Sequence, residues 1–138
     1  MKKEFVPYEQ ALALKELGFD KLCIAHYRQG TTLVALGHGI AGLSYSDFKD
    51  EGQVLAPTFS QAFRWFREKY GLLSWIQNMG DLNPEGFTWY IQSIKGIVLN
   101  EYSEPKFKDW CMSFKSPEEA ELACLIKLIE ICRTQKSI

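Results

Sequence analysis

Residues 57–71, near the middle of the chain, read Pro57-Thr-Phe-Ser-Gln-Ala-Phe-Arg-Trp-Phe-Arg-Glu-Lys-Tyr-Gly71. The apolar residues from Phe59 onward recur at i, i+3, i+4, i+7 and i+11, which is the spacing of one face of an α-helix. Arg64 and Glu68 fall on the opposite side. Three phenylalanines on one face supply a large apolar area for so short a segment. The pattern therefore predicts an amphipathic helix at the centre of the core.

The sequence before this helix predicts a first helix and a β-hairpin. Pro7 suits the first turn of a helix, and Gly18 suits the left-handed residue that ends one. Two strand-like runs, 22–28 and 31–36, flank the dipeptide Gln29-Gly30, and such a pair around a two-residue loop is typical of a hairpin. Residues 37–56 then follow as an irregular, glycine-rich loop.

After the central helix the chain becomes rich in aromatic and β-branched residues, which favour strands. Runs at 72–77 and 87–94 predict a hairpin with a long tip, and 97–102 predicts a third strand. Residues 107–114 suit either a fourth strand or a short helix. The segment Ser116-Pro-Glu-Glu119 then predicts a capped helix start, because serine accepts a backbone hydrogen bond and glutamate reaches back.

These elements together predict an α+β fold. We expect one domain over residues 1–138, with an antiparallel sheet of about four to six strands. Three helices are expected to pack on the sheet, near 7–17, 57–70 and 117–134.

Composition excludes several function classes. The 138 residues are 46% hydrophobic and 24% charged with a formal net charge of −1, so no electrostatic argument favours nucleic acid or an anionic membrane. No apolar run is long enough to span a bilayer, and no signal-peptide core follows the N-terminal lysines. The four cysteines sit in apolar segments without a Cys-x-x-Cys pair, which predicts buried, reduced thiols in a cytoplasmic protein and no zinc site.

A glycine-rich motif in the loop matches the spacing of a nucleotide-binding site. Gly37-His-Gly-Ile-Ala-Gly42 matches the spacing Gly-x-Gly-x-x-Gly, which makes Gly37, His38, Gly39 and Gly42 weak candidates for an enzyme or nucleotide binder using residues 37–52. The segment that follows, 43–52, is polar and ends in glycine, whereas a dinucleotide site requires a helix within a βαβ unit. A plain loop is the favoured interpretation. No catalytic residue, cofactor or metal is assigned.

The last helix and one tryptophan suggest a protein interface instead. Residues 120–132 are apolar around more than half of the helix circumference, so the helix is either enclosed by the fold or shared with a second subunit. Cys124, Leu128 and Ile131 are its candidate contact residues. Trp65 falls outside the phenylalanine face of the central helix, where it either closes the edge of the core or anchors a partner.

The aromatic strands offer an alternative. Trp75, Trp89 and Tyr90 suggest a sheet face on which bases could stack, but single-strand binders also place basic residues between the aromatics, and here only Lys95 is near. From Pro57 onward, the order α-β-β-β-α resembles the double-stranded-RNA-binding domain. The acids of residues 116–121 stand where that domain carries phosphate-binding lysines, so the resemblance does not imply its function.

Three segments, 5–20, 56–72 and 118–131, together resemble a group of small phage and prophage-type proteins of Bacteroides-like bacteria and their viruses. The resemblance implies a cytoplasmic, phage-derived accessory protein and carries no activity. The leading hypothesis is therefore a non-enzymatic protein that binds another protein, as a homodimer through the 120–132 helix. Nucleic-acid binding on the aromatic face and an enzymatic 37–52 loop are the alternatives.

Overall fold

A computed structural model describes residues 4–28, 30–35, 42–48, 52–80, 84–93 and 113–136. Within these ranges the fold is α+β, as predicted, with three α-helices close to their expected positions. The elements are α1 (Tyr8–Glu16), β1 (Ala25–Arg28), β2 (Thr32–Ala35), a 3-10 turn (Tyr45–Asp47), β3 (Val54–Leu55), α2 (Phe59–Tyr70), β4 (Leu72–Asn78), β5 (Phe87–Ser93) and α3 (Pro117–Lys136).

The strands described here form two separate antiparallel sheets, one of three strands and one of two. The predicted third strand and most of the segment 107–114 lie outside the described residues. The single sheet of four to six strands therefore stays a prediction. By its internal contacts the chain divides into two compact units, Met1–Ala62 with Cys132–Ile138, and Phe63–Ile131. The expectation of one domain also stays a prediction.

The first unit contains the sheet β2-β1-β3. β1 and β2 form the predicted hairpin, with Gly30 supplying a positive φ of 84° in the loop. Alternate residues of β1 point inward, and Ala25 and Tyr27 are buried. The Tyr27 hydroxyl donates a 2.7 Å hydrogen bond to the Val6 carbonyl, which ties β1 to the segment before α1.

The second unit contains the hairpin β4–β5. Seven residues of each strand pair in continuous register, from Leu72 opposite Ser93 to Asn78 opposite Phe87. On its other side, β5 pairs with Phe114 through two 2.8 Å backbone hydrogen bonds at Phe87. This register determines which side chains of the hairpin face solvent.

Capping residues explain where two helices begin. Thr58 Oγ1 accepts a hydrogen bond from the Gln61 amide, and Gln61 Oε1 accepts one from the Thr58 amide, so α2 opens with a reciprocal capping box. At α3, Ser116 Oγ accepts from the Glu119 amide as predicted, while Glu119 reaches one residue further back, to the Lys115 amide. The α2 box is present in the sequence as Thr-x-x-Gln.

Replacing Tyr27 tests the buried bond in the first unit. Tyr27→Phe leaves the Val6 carbonyl without its donor, so the free energy of unfolding should fall by about 1–3 kcal/mol in urea titrations. Arg64→Ala is the control, because its 3.0 Å ion pair with Glu68 is exposed and should contribute no more than about 1 kcal/mol. Equal urea midpoints for Tyr27→Phe and the parent chain would contradict this account of the bond.

Candidate protein-binding face

One face of the β4–β5 hairpin carries exposed aromatic and apolar side chains. Strand geometry places alternate residues of β4 on this face, together with the β5 residues directly opposite them, of which Thr88 is only 4% exposed and is left out of the accessible surface. We call this surface the Trp75 face and define it by Leu73, Trp75, Gln77, Tyr90 and Gln92. Leu73 is 37% exposed and Trp75 is 40% exposed, although both are large apolar side chains.

The aromatic pair at the centre of the Trp75 face is already ordered. The Trp75 and Tyr90 rings stack with centroids 5.2 Å apart and planes inclined by 15°. The Trp75 indole N–H also donates a 3.4 Å hydrogen bond to Gln77 Oε1 on the same strand. These contacts restrict the indole before any partner arrives, which lowers the entropy lost on binding.

The opposite face of the hairpin points into the second unit. Leu72, Trp89 and Ile91 are buried there. Adjacent residues of a strand face opposite sides, so Trp89 and Tyr90 cannot share a surface. The predicted grouping of Trp75, Trp89 and Tyr90 on one aromatic face is therefore wrong for Trp89. Burial alternates along residues 72–78, but the sequence Leu-Leu-Ser-Trp-Ile-Gln-Asn places apolar and polar residues on both faces, so it gave no signal that identifies the exposed members.

The Trp75 face is electrically neutral. None of its five defining residues is charged, and Lys95, the one basic residue expected near it, lies outside the described residues. A surface that binds nucleic acid gains most of its affinity from contacts between basic side chains and phosphate. The described part of the face lacks that contribution, whereas exposed tryptophan and tyrosine are typical of protein interfaces.

Most of the contact residues predicted from the sequence lie in the interior. Trp65 is 2% exposed, and Cys124 and Leu128 are fully buried. The Trp65 ring makes edge contacts with Phe66 at 5.1 Å and with Tyr70 at 5.5 Å. In this conformation Trp65 is a core residue, and these three side chains offer a partner no surface.

The last helix presents different residues to solvent. Ile131 is half-buried. Ile126 is 46% exposed, and among the described residues of α3 it is the one large apolar side chain that is exposed. The dimer through residues 120–132 stays a prediction, and its exposed contact would be Ile126 rather than Cys124 or Leu128.

The buried thiols are poor nucleophiles. Burial raises the pKa of Cys124 to about 12; the neighbouring Ser74 hydroxyl opposes the shift and the Glu121 carboxylate adds to it. Burial likewise raises the pKa of Cys23 to about 12. The thiolate is the reactive form, so both cysteines are essentially unreactive at neutral pH.

Of the glycine-rich candidates, Gly42 alone belongs to the described residues; Gly37, His38 and Gly39 lie outside them. Gly42 has a φ of 148°, and a Cβ at this position would lie 3.0 Å from the Leu22 Cβ. The next residue, Leu43, pairs with Cys23 through two backbone hydrogen bonds. Close approach of two chain segments thus accounts for this glycine.

Substitution at Gly42 tests that explanation. Gly42→Ala must adopt a φ that L-residues avoid and displace Leu22, so it should destabilise the chain by about 1–3 kcal/mol in urea titrations. Gly52→Ala is a matched control, because nothing lies within 4 Å of its added Cβ and its φ is not in the positive range. If the two variants unfold at the same midpoint, close packing does not explain Gly42.

Two further features bear on the site. Within the described ranges, no group of three or more His, Cys, Asp and Glu side chains could hold a metal ion. None of the described helices has the length and apolar character needed to cross a membrane.

Comparisons of the chain with protein-family models, curated proteins and solved structures found no match.

Proposed function

We propose that the chain is a non-enzymatic accessory protein that acts by protein–protein contact, and that it self-associates through the Trp75 face. The observation that carries the proposal is the exposed Trp75 ring, stacked on the half-buried Tyr90 ring beside the exposed Leu73 on one face of the hairpin. Tryptophan and tyrosine are enriched among the residues that contribute most to protein binding. The proposal replaces the predicted contact residues of α2 and α3 with side chains that are exposed.

The order and neutrality of the face support a protein partner. Stacking on Tyr90 orients the indole in the unbound chain, which reduces the rotamer freedom lost on binding. Because the five residues carry no charge, two copies of the face do not repel one another. Binding through it should therefore depend weakly on salt, in contrast to binding of nucleic acid.

The resemblance to phage and prophage-type proteins adds the biological setting. Within this proposal the protein works in the cytoplasm as a phage-derived accessory factor, and its described elements belong to one α+β domain whose sheet has four to six strands. An accessory role of this kind requires a contact surface, and the Trp75 face is the candidate for it.

Nucleic-acid binding is the second candidate, and the stacked pair favours it to a limited degree. Exposed aromatic rings present the kind of surface on which an unpaired base stacks. The described face provides no basic side chain to hold the phosphates. Fluorescence anisotropy with labelled single- and double-stranded oligonucleotides separates the candidates, since nucleic-acid binding would be saturable and would weaken steeply with added salt.

Sedimentation velocity of Trp75→Ser tests the leading proposal. Over one to one hundred micromolar, the parent chain should shift from monomer to dimer. Trp75→Ser should raise the dissociation constant by about tenfold or more, because it removes the largest exposed side chain of the face. Circular dichroism verifies that the variant remains folded.

A matched control is available on the first unit. Leu22 is 54% exposed and lies outside the Trp75 face, so Leu22→Ser removes an exposed apolar side chain and should leave the dissociation constant unchanged. A parent chain that remains monomeric throughout the concentration range would remove the self-association proposal. Loss of the dimer in Leu22→Ser but not in Trp75→Ser would place the contact on another surface.

A further inference from the structure

The hydrogen-bonding pattern of the hairpin determines which backbone N–H and C=O groups of β4 point away from β5. Met79 donates a 2.9 Å hydrogen bond to Gly86, which makes these residues a hydrogen-bonded pair. Hydrogen-bonded and non-hydrogen-bonded pairs alternate along an antiparallel ladder. Trp75 and Tyr90 therefore form a hydrogen-bonded pair, while the N–H and C=O groups of Ser74 and Ile76 point away from β5.

The other side of the hairpin supports this assignment. By the same alternation, the backbone groups of Phe87 should point away from β4. The two hydrogen bonds that Phe87 exchanges with Phe114, on the side away from β4, show that they point in this direction. No other strand within the described residues pairs with the outer edge of β4, which leaves the outward groups of four residues without a strand partner. These residues are Leu72, Ser74, Ile76 and Asn78.

The sequence of β4 itself carries none of the features that protect an edge against strand pairing, and no described strand covers it. Soluble proteins block exposed edges with lysine, proline, a bulge or a very short strand. β4 is seven residues long, reads Leu-Leu-Ser-Trp-Ile-Gln-Asn, and contains no charge and no proline. Its register with β5 is continuous, without a bulge. Such an edge is suited to accept another strand by backbone hydrogen bonding.

We infer that β4 pairs with β4 of a second copy of this chain, antiparallel and about a two-fold axis at Trp75. In this register Ser74 lies opposite Ile76 of the partner, and Leu72 lies opposite Asn78. All outward groups of the strand are then paired, with about eight hydrogen bonds between the two chains. An isologous contact of this kind uses the same surface of both subunits.

The same register aligns the aromatic side chains. Trp75 lies opposite Trp75 of the partner in a non-hydrogen-bonded pair, where side chains approach most closely. Within each hairpin Trp75 already stacks on Tyr90. The two hairpins thus form a four-stranded sheet whose one face carries a row of two tyrosines and two tryptophans. A second copy suits this edge better than a charged peptide, because strand and face are both neutral.

The inference rests on the proposed self-association and narrows its contact to the β4 edge and the Trp75 side chain, so that the rest of the Trp75 face, with Tyr90 and Gln92, stays on the surface of the dimer. Amide hydrogen exchange measured by nuclear magnetic resonance tests it, at concentrations below and above the dissociation constant found by sedimentation. The amides of Ser74 and Ile76 should exchange rapidly in the monomer and at least tenfold more slowly in the dimer. The Trp75 amide is the internal control, since it bonds to β5 and should be slow in both states.

Each outcome decides a different claim. A dimer in which the Ser74 and Ile76 amides remain rapid would overturn edge pairing and leave self-association intact. Slow exchange of these amides in the monomer would show that the chain covers its own edge, which also overturns the inference. A chain that sediments as a monomer at every concentration removes the proposed self-association and, with it, the pairing.

A charge pair tests the two-fold register independently of exchange. Trp75→Lys and Trp75→Glu each place like charges opposite one another in the paired sheet, so each variant alone should be monomeric. An equimolar mixture brings opposite charges together and should dimerise more tightly than either variant alone, although more weakly than the parent chain, because both tryptophans are gone. Circular dichroism confirms that both variants are folded. Dimerisation of either variant alone, with the affinity of the parent chain, would contradict this register.

Discussion

The continuous pairing of β4 with β5 is the constraint on which the candidate site depends. Because the side-chain period of a strand is two, a slip of one residue would exchange the buried and exposed sets on β4. The observed register places Ser74 opposite Ile91 and Trp75 opposite Tyr90. It therefore buries Ile91 and exposes Trp75, and it also fixes which backbone groups of β4 point outward.

The register acts through two levels of structure. At the side-chain level it stacks Trp75 on Tyr90 within a neutral surface. At the backbone level it leaves a row of hydrogen-bonding groups on an uncharged edge. Both levels favour contact with another protein, because hydrogen-bonding edges and exposed aromatic side chains are recurrent elements of protein recognition.

Much of the fold follows from local sequence signals. Helix periodicity predicts α2 and α3, and the Gln29-Gly30 dipeptide predicts the β1–β2 hairpin, because these signals lie within a few residues of one another. The sheet arrangement was not predictable in the same way. Whether strands join one sheet or two depends on contacts between distant segments, which local patterns do not encode.

The site was harder to predict than the fold, for a specific reason. On α2, Trp65 follows Ala62 by three residues and shares its buried side. The predicted face included Ala62 but was centred on the phenylalanines, one of which, Phe63, is only half-buried, and this centring placed Trp65 outside. On α3, apolar residues around most of the helix suit either burial in the chain's own core or contact with a second subunit, and the sequence does not distinguish the two. In the structure Cys124 and Leu128 are buried within the chain itself. The sequence of β4 places apolar and polar residues on both faces, so it did not identify Leu73 and Trp75 as the exposed side chains, and a run of this kind also suits a strand buried on both faces.

Direct observation of the β4–β5 register is the most decisive test of this account. In an isotopically labelled sample, non-hydrogen-bonded pairs of an antiparallel ladder bring the two Hα atoms close together. The account predicts strong Hα–Hα nuclear Overhauser effects between Ser74 and Ile91 and between Ile76 and Trp89. Strong effects displaced by one residue, such as one between Trp75 and Ile91, would show that Trp75 does not occupy the exposed face and would contradict the account.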